Sequence, residues 1–173
     1  MIDLSKLRKR KQNKCRIPTM EERIKAYVDQ HDLCITRLSI AIGFSHQTIL
    51  EWTSGRKLPL VSSIHKFCVE TGISLDYLLG FNDNINFPSK NPLSFPAVFV
   101  ERFNQYFNEN NYSFYSVELQ HTKGGHGLYQ YWALGKFMPS LYALKGFCIH
   151  EKLSADWLIG LSDGRRRIHC EKE

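Results

Sequence analysis

Residues 6–16 hold seven cations, Lys6, Arg8, Lys9, Arg10, Lys11, Lys14 and Arg16, with no acid among them. Such a run can pair with the phosphates of a polyanion in a salt-dependent way. It has no apolar periodicity, so it is expected to be disordered when free and to lie along phosphates or in a minor groove when bound. A second basic run, Arg165-Arg166-Arg167, sits near the C-terminus of the 173-residue chain, whose net charge is +6. Other reactive residue types form no familiar constellation. The five cysteines, Cys15, Cys34, Cys68, Cys148 and Cys170, include no CxxC pair. Neither a redox motif nor a zinc ribbon is implied, and reduced, buried thiols are expected. His121 with His126, and Cys148 with His150, match no standard metal spacing. There is no GxxxxGK[ST] loop, no GxGxxG and no HExxH, and no nucleophile, base and orienting group can be singled out. An enzyme is not expected, nor a metal or cofactor.

The remaining candidates are His46, Gln47, Leu50 and Glu51. Their placement follows from helical spacing. In "ITRLSIAIGF", Ile35, Leu38 and Ile42 share one face, and Gly43 follows as a residue able to end a helix at positive φ. Ser45 is a good N-cap for the next short helix, "HQTILEW". Ile49 and Trp52, three apart, anchor that helix inward, which leaves His46, Gln47, Leu50 and Glu51 outside. Two short helices joined through Gly-x-Ser form the helix-turn-helix signal. Around them, "TMEERIKAYVDQH" starts at Thr19 as a cap and turns Ile24, Tyr27 and Val28 inward. Gly55 stops the third helix, Pro59 marks the start of a fourth, and Ser74 caps a fifth, "LDYLLG".

The pattern then recurs. "EWTSGRKLP" at 51–59 is echoed by "YWALGKFMP" at 131–139, and Trp52, Gly55 and Pro59 recur 80 residues on as Trp132, Gly135 and Pro139. Asp76, Leu78, Gly80 and Asp83 likewise recur as Asp156, Leu158, Gly160 and Asp163. Upstream, "ERIKAYV" faces "ERFNQYF" at an offset of 79, which places one inserted residue near "KGGHG". The reading is all-α, two small five-helix domains in tandem. It assigns 1–18 to a basic arm, 19–83 to the first domain, 84–97 to a proline-rich linker, 98–163 to a diverged second domain and 164–173 to a basic tail. The apolar runs are too short to span a bilayer and the N-terminus has no secretory h-region, so a cytoplasmic protein is expected.

"LSIAIGFSHQTILEWTSGRKLP" with "SLDYLLG" resembles the Cro and lambda-repressor type (Xre-like) helix-turn-helix family. The resemblance covers residues 22–83 well and 98–163 less well. Leu38, Gly43, Ser45, Ile49, Trp52, Gly55 and Pro59 carry it; Ser39, where alanine is usual, and Thr53, where glutamate is common, depart from it. It implies double-stranded DNA as partner and regulation of transcription, in the manner of a repressor, as the activity. His46, Gln47, Leu50 and Glu51 would then meet bases. Gln suits adenine N6/N7, Glu cytosine N4 and His guanine. Thr36, Arg37, Ser45, Ser54, Arg56 and Lys57 would meet phosphates. The alternative is a helix-turn-helix scaffold reused for protein contact, as in an antitoxin or a phage-encoded inhibitor.

The second copy differs in content. Its turn swells to Gly124-Gly125, Gly127 falls opposite Gln47, and Glu118 falls opposite the small Ser39. His126, Gln130, Tyr131 and Lys136 are its candidate contacts, with little base reading expected. It also holds Phe99, Phe103, Tyr106, Phe107, Tyr112, Phe114, Tyr115, Tyr129, Tyr131 and Trp132, more aromatics than one small core can take. Some should surface as a contact patch. Such a domain supplies geometry, either as a homodimer contact or as a second grip on the same DNA.

Overall fold

A computed structural model describes residues 17–30, 35–86, 92–122 and 127–165. The cationic run 6–16, His126, and Cys15, Cys34 and Cys170 lie outside these residues. The described residues form ten helices and no strand: α1 (Pro18–Gln30), α2 (Ile35–Ile42), α3 (His46–Thr53), α4 (Val61–Thr71), α5 (Leu75–Leu79), α6 (Ala97–Glu109), α7 (Phe114–His121), α8 (Leu128–Ala133), α9 (Leu141–Glu151) and α10 (Ala155–Leu158). None of them is long and apolar enough to cross a membrane.

The sequence explains most of the helix starts. α1 opens at Pro18, so Thr19, expected as its cap, lies one residue inside. Proline suits a first turn, where its missing N–H would have no partner. Ser45, Ser74, Ser140 and Ser154 cap α3, α5, α9 and α10, accepting from Thr48, Tyr77, Ala143 and Trp157 N–H.

Helices α1–α5 pack on one another, and α6–α10 do the same. Ile24, Leu38, Ile42, Ile49, Trp52, Ile64 and Phe67 fill the first interior. Phe99, Phe103, Phe107, Val117, Trp132, Leu144 and Phe147 fill the second. Each such side chain contributes about 1.5–3 kcal/mol by leaving water. Cys68 and Cys148 are both fully buried. Each half also carries the same clamp. Arg23 of α1 donates to Tyr77 O, to Asn82 O (2.7 Å) and to Asp83 (2.7 Å). Arg102 of α6 donates to Trp157 O, to Ser162 O (2.6 Å) and to Asp163 (3.3 Å). A guanidinium reaches several acceptors at once, so one residue ties the first helix of each half to the end of its fifth.

The halves meet through α5 and α10, in a reciprocal way. Asp156 accepts from Ser74 Oγ and Leu75 N–H, both at 2.6 Å. Asp76 accepts from Ser154 Oγ and Ala155 N–H, both also at 2.6 Å. Each aspartate thus sits over the start of the other half's helix, where free N–H groups and the helix dipole favour a carboxylate. Leu60 and Ser140, matching residues of the two copies, form an antiparallel bridge. Equivalent residues exchanging equivalent contacts are the mark of an isologous, approximately two-fold interface, here within one chain. Lys145 breaks the symmetry: its Nζ donates to Leu79 O (2.8 Å), while His65 occupies the matching position. Residues 92–96 of the expected linker are engaged as well. Leu93 N–H donates to Gly160 O (2.8 Å), and Phe95 packs between His65 and Phe99.

Candidate nucleic-acid interface

Ile49 and Trp52 are buried, and Trp52 packs edge-on against Phe44 and Phe67. That fixes the rotation of α3 about its axis. His46 and Gln47 are consequently exposed, while Leu50 and Glu51 are half-buried. Ser45 Oγ accepts from Thr48 N–H at 3.1 Å, so the helix starts cleanly just before the two exposed side chains. Thr36, Arg37, Ser45, Ser54, Arg56 and Lys57 are all exposed. Arg56 Nε donates to Ser54 Oγ (3.1 Å), and Lys57 Nζ lies 3.9 Å from Glu51. Exposed pairs of this kind hold little energy, on the order of 0–1 kcal/mol, and leave these groups available to an incoming ligand. Gly55 turns the chain between them at φ +63, and a Cβ there would fall on the Glu21 carboxylate. The positive φ is what favours glycine at this corner.

α8 occupies the matching place in the second half but is built differently. It begins at Leu128, the counterpart of Thr48, so it lacks the first two residues of α3. Gly127 stands at its N-cap with φ 71 and offers no side-chain cap. Glu118, fully buried on α7, takes that role: its two oxygens accept from Leu128 N–H (3.1 Å) and Tyr129 N–H (3.2 Å). The large residue opposite the small Ser39 is thus the cap that the glycine cannot supply. Gln130, Tyr131 and Lys136 are exposed, with Lys136 over the Tyr131 ring.

Of the aromatics in this half, Phe99, Phe103, Tyr106, Phe107, Tyr129 and Trp132 are buried, and Phe114 is half-buried. Tyr112, Tyr115, Tyr131 and also Phe137 are exposed. Behind α8 runs a polar network that helical periodicity does not indicate. His121 joins Tyr129 OH through Nδ1 (2.7 Å) and Glu151 through Nε2 (2.8 Å), and Tyr106 OH donates to Glu151. Burial holds His121 below its usual pKa, against the pull of Glu151 and with the push of His150. Burial first, then Glu151, raises Tyr106; burial first, then Glu118, raises Tyr129. No group of three or more candidate metal ligands occurs among the described residues. Comparison with protein-family models, with curated proteins and with solved structures gave no match to this chain.

Proposed function

We propose that the chain is a sequence-specific DNA-binding regulator of the Cro and lambda-repressor type, built from two helix-turn-helix domains of which only the first reads bases. It acts on double-stranded DNA in the cytoplasm, as a repressor would. α3 lies in the major groove, with His46, Gln47 and Glu51 at base edges and Leu50 beside them. Thr36, Arg37, Ser45, Ser54, Arg56 and Lys57 grip the flanking phosphates. The single observation that supports this is the α3 face. A capped, core-anchored helix turns His46 and Gln47 outward, beside the exposed cations Arg37, Arg56 and Lys57. The test is selection from genomic fragments followed by footprinting, repeated with Gln47→Ala. A preferred site should emerge, and the variant should relax it at one base pair. The cationic run 6–16 adds affinity without sequence preference. Deleting it should flatten the plot of log affinity against log salt by about 0.9 for each phosphate that is no longer neutralised.

One observation favours a second reading, in which the scaffold binds a protein. The start of α8 and the turn that follows it expose apolar side chains: Leu128, Leu134 and Phe137 are 41%, 59% and 61% exposed. Salt-dependent binding to random duplex DNA separates the two readings, because only the first requires it.

A further inference from the structure

Matching positions of the two halves carry side chains of different chemistry. Glu51, Ser54 and Lys57 of the first half correspond to Tyr131, Leu134 and Phe137 of the second, and Thr48 corresponds to Leu128. Leu128 and Tyr131 stand three residues apart on α8, and Leu134 follows three further on as its C-cap. Phe137 joins them through an edge contact with the Tyr131 ring, 5.5 Å between centroids. None of the four is required by the interior, since all are 40–61% exposed. On the scale of 150–250 Å² per aromatic side chain, the four together expose roughly 400 Å² of largely apolar side chain.

We infer that this face of α8 is a docking surface for a second copy of the same chain, which joins two molecules through an isologous contact. Three observations point to a second copy. The first is size. Tyr115 and Leu119, one turn apart on the adjoining α7, are 61% and 45% exposed. They bring the apolar area to roughly 600 Å², near the ~800 Å² per partner of a stable protein interface, with Gln130 as polar rim. The second is charge. Lys136 is the one cation among the described residues named at the patch, so two copies of this basic chain bring few like charges together there. The third is topology. The interface through which the halves could have paired with another copy is already closed within the chain by Asp76 and Asp156. A contact that doubles α3 must use another surface. This last point rests on the proposed reading of α3; the first two do not.

The experiment is sedimentation of the full chain from low to high micromolar concentration, beside a Leu134→Ser, Phe137→Lys double variant. Those substitutions install the residues found at the matching positions of the first half, where the same fold already carries them exposed. Circular dichroism of the variant should match the parent, and its melting temperature should equal the value the parent approaches on dilution. The parent should sediment as a dimer, and the variant should self-associate at least about 30-fold more weakly, the effect of removing one interface hot spot. A second variant, Leu134→Asp, should do the same. A parent that stays monomeric throughout would overturn the inference, as would a dimer that both variants leave intact. Loss of DNA affinity in the variants without any change in sedimentation would also overturn it and would assign the face to nucleic acid. Gln47→Ala should leave sedimentation unchanged, so failure of the base-reading assignment is distinguishable from failure of this one.

Discussion

α3 and α8 are the same element in two states of use. α3 keeps a serine cap, a full first turn and polar side chains facing out. α8 has lost two residues from its start, is capped from behind by Glu118 and turns apolar side chains to solvent. The buried anchors are nevertheless shared: Ile49 and Trp52 match Tyr129 and Trp132. Inward positions answer to packing and stay buried in both halves. Outward positions carry no packing constraint, and there the two halves differ in polarity. The polar network of His121, Tyr129 and Glu151 shows the limit of this rule. It stands where the first half has Ile42, Ile49 and Thr71, and it remains fully engaged in bonding.

The comparison would be altered most by cutting what joins the halves. Asp76→Ala removes the carboxylate over the start of α10 and leaves Ser154 Oγ and Ala155 N–H without their acceptor. Denaturant unfolding should show a loss of about 2–4 kcal/mol, from buried donors left unsatisfied and a lost carboxylate at a helix start. The transition should remain single; two transitions would mean that the halves fold independently. The same interface carries a pH signature. Burial, then the charge of Asp76, pushes the Asp156 carboxyl from 3.8 up to about 7. Folding therefore binds a proton. The interface contributes fully below about pH 4 and weakens as pH rises through 7. His65 and His121, both lowered by burial, act oppositely: their contribution is full above pH 6.5 and declines as the pH falls. Asp156→Asn should flatten unfolding free energy between about pH 4 and 8, measured by urea titration at several pH values.

The next effect concerns how each helix begins. Glu118→Ala uncaps α8 from inside the core and should cost about 2–3 kcal/mol, whereas Ser45→Ala at the exposed start of α3 should cost about 1 kcal/mol. Equal losses would mean that the two starts are equivalent after all. The smallest stability effects, but the sharpest functional contrast, belong to the outer faces. Gln47→Ala should cost about 1–3 kcal/mol of discrimination at one base pair, measured by competition binding, and Gln130→Ala close to nothing. A comparable loss from Gln130→Ala would make α8 a second reading helix.

The all-helical class and the inward anchors of the first half are legible in the sequence because they depend on local spacing. Trp52 and Trp132, three residues after their partners, announce their faces without any tertiary information. Asp76 and Asp156 are legible only as repeated residues. An aspartate in the first turn of a helix already has a local explanation in the helix dipole, which hides a role played across an interface 80 residues away. Glu118 reads as a misfit for a similar reason: its partners, Leu128 and Tyr129 N–H, become free donors only because Gly127 offers no cap. Arg23 and Arg102 stand in the matched segments, yet an arginine on a helix reads as a surface charge until the carbonyls it collects are in place. Thr19 reads as a cap because nothing local distinguishes it from Pro18 as a starting point.

The exchanged aspartates have one more consequence. In an assembly of two identical chains, every substitution appears twice, and the pairing dissolves on dilution. Here the two sides of the contact are spelled by separate codons, Ser74 with Asp156 and Ser154 with Asp76. Each bond can drift alone, and the tether keeps the partners together at any expression level. Repetition within one chain thus leaves the second half free to differ from the first, as the outward residues of α8 differ from those of α3.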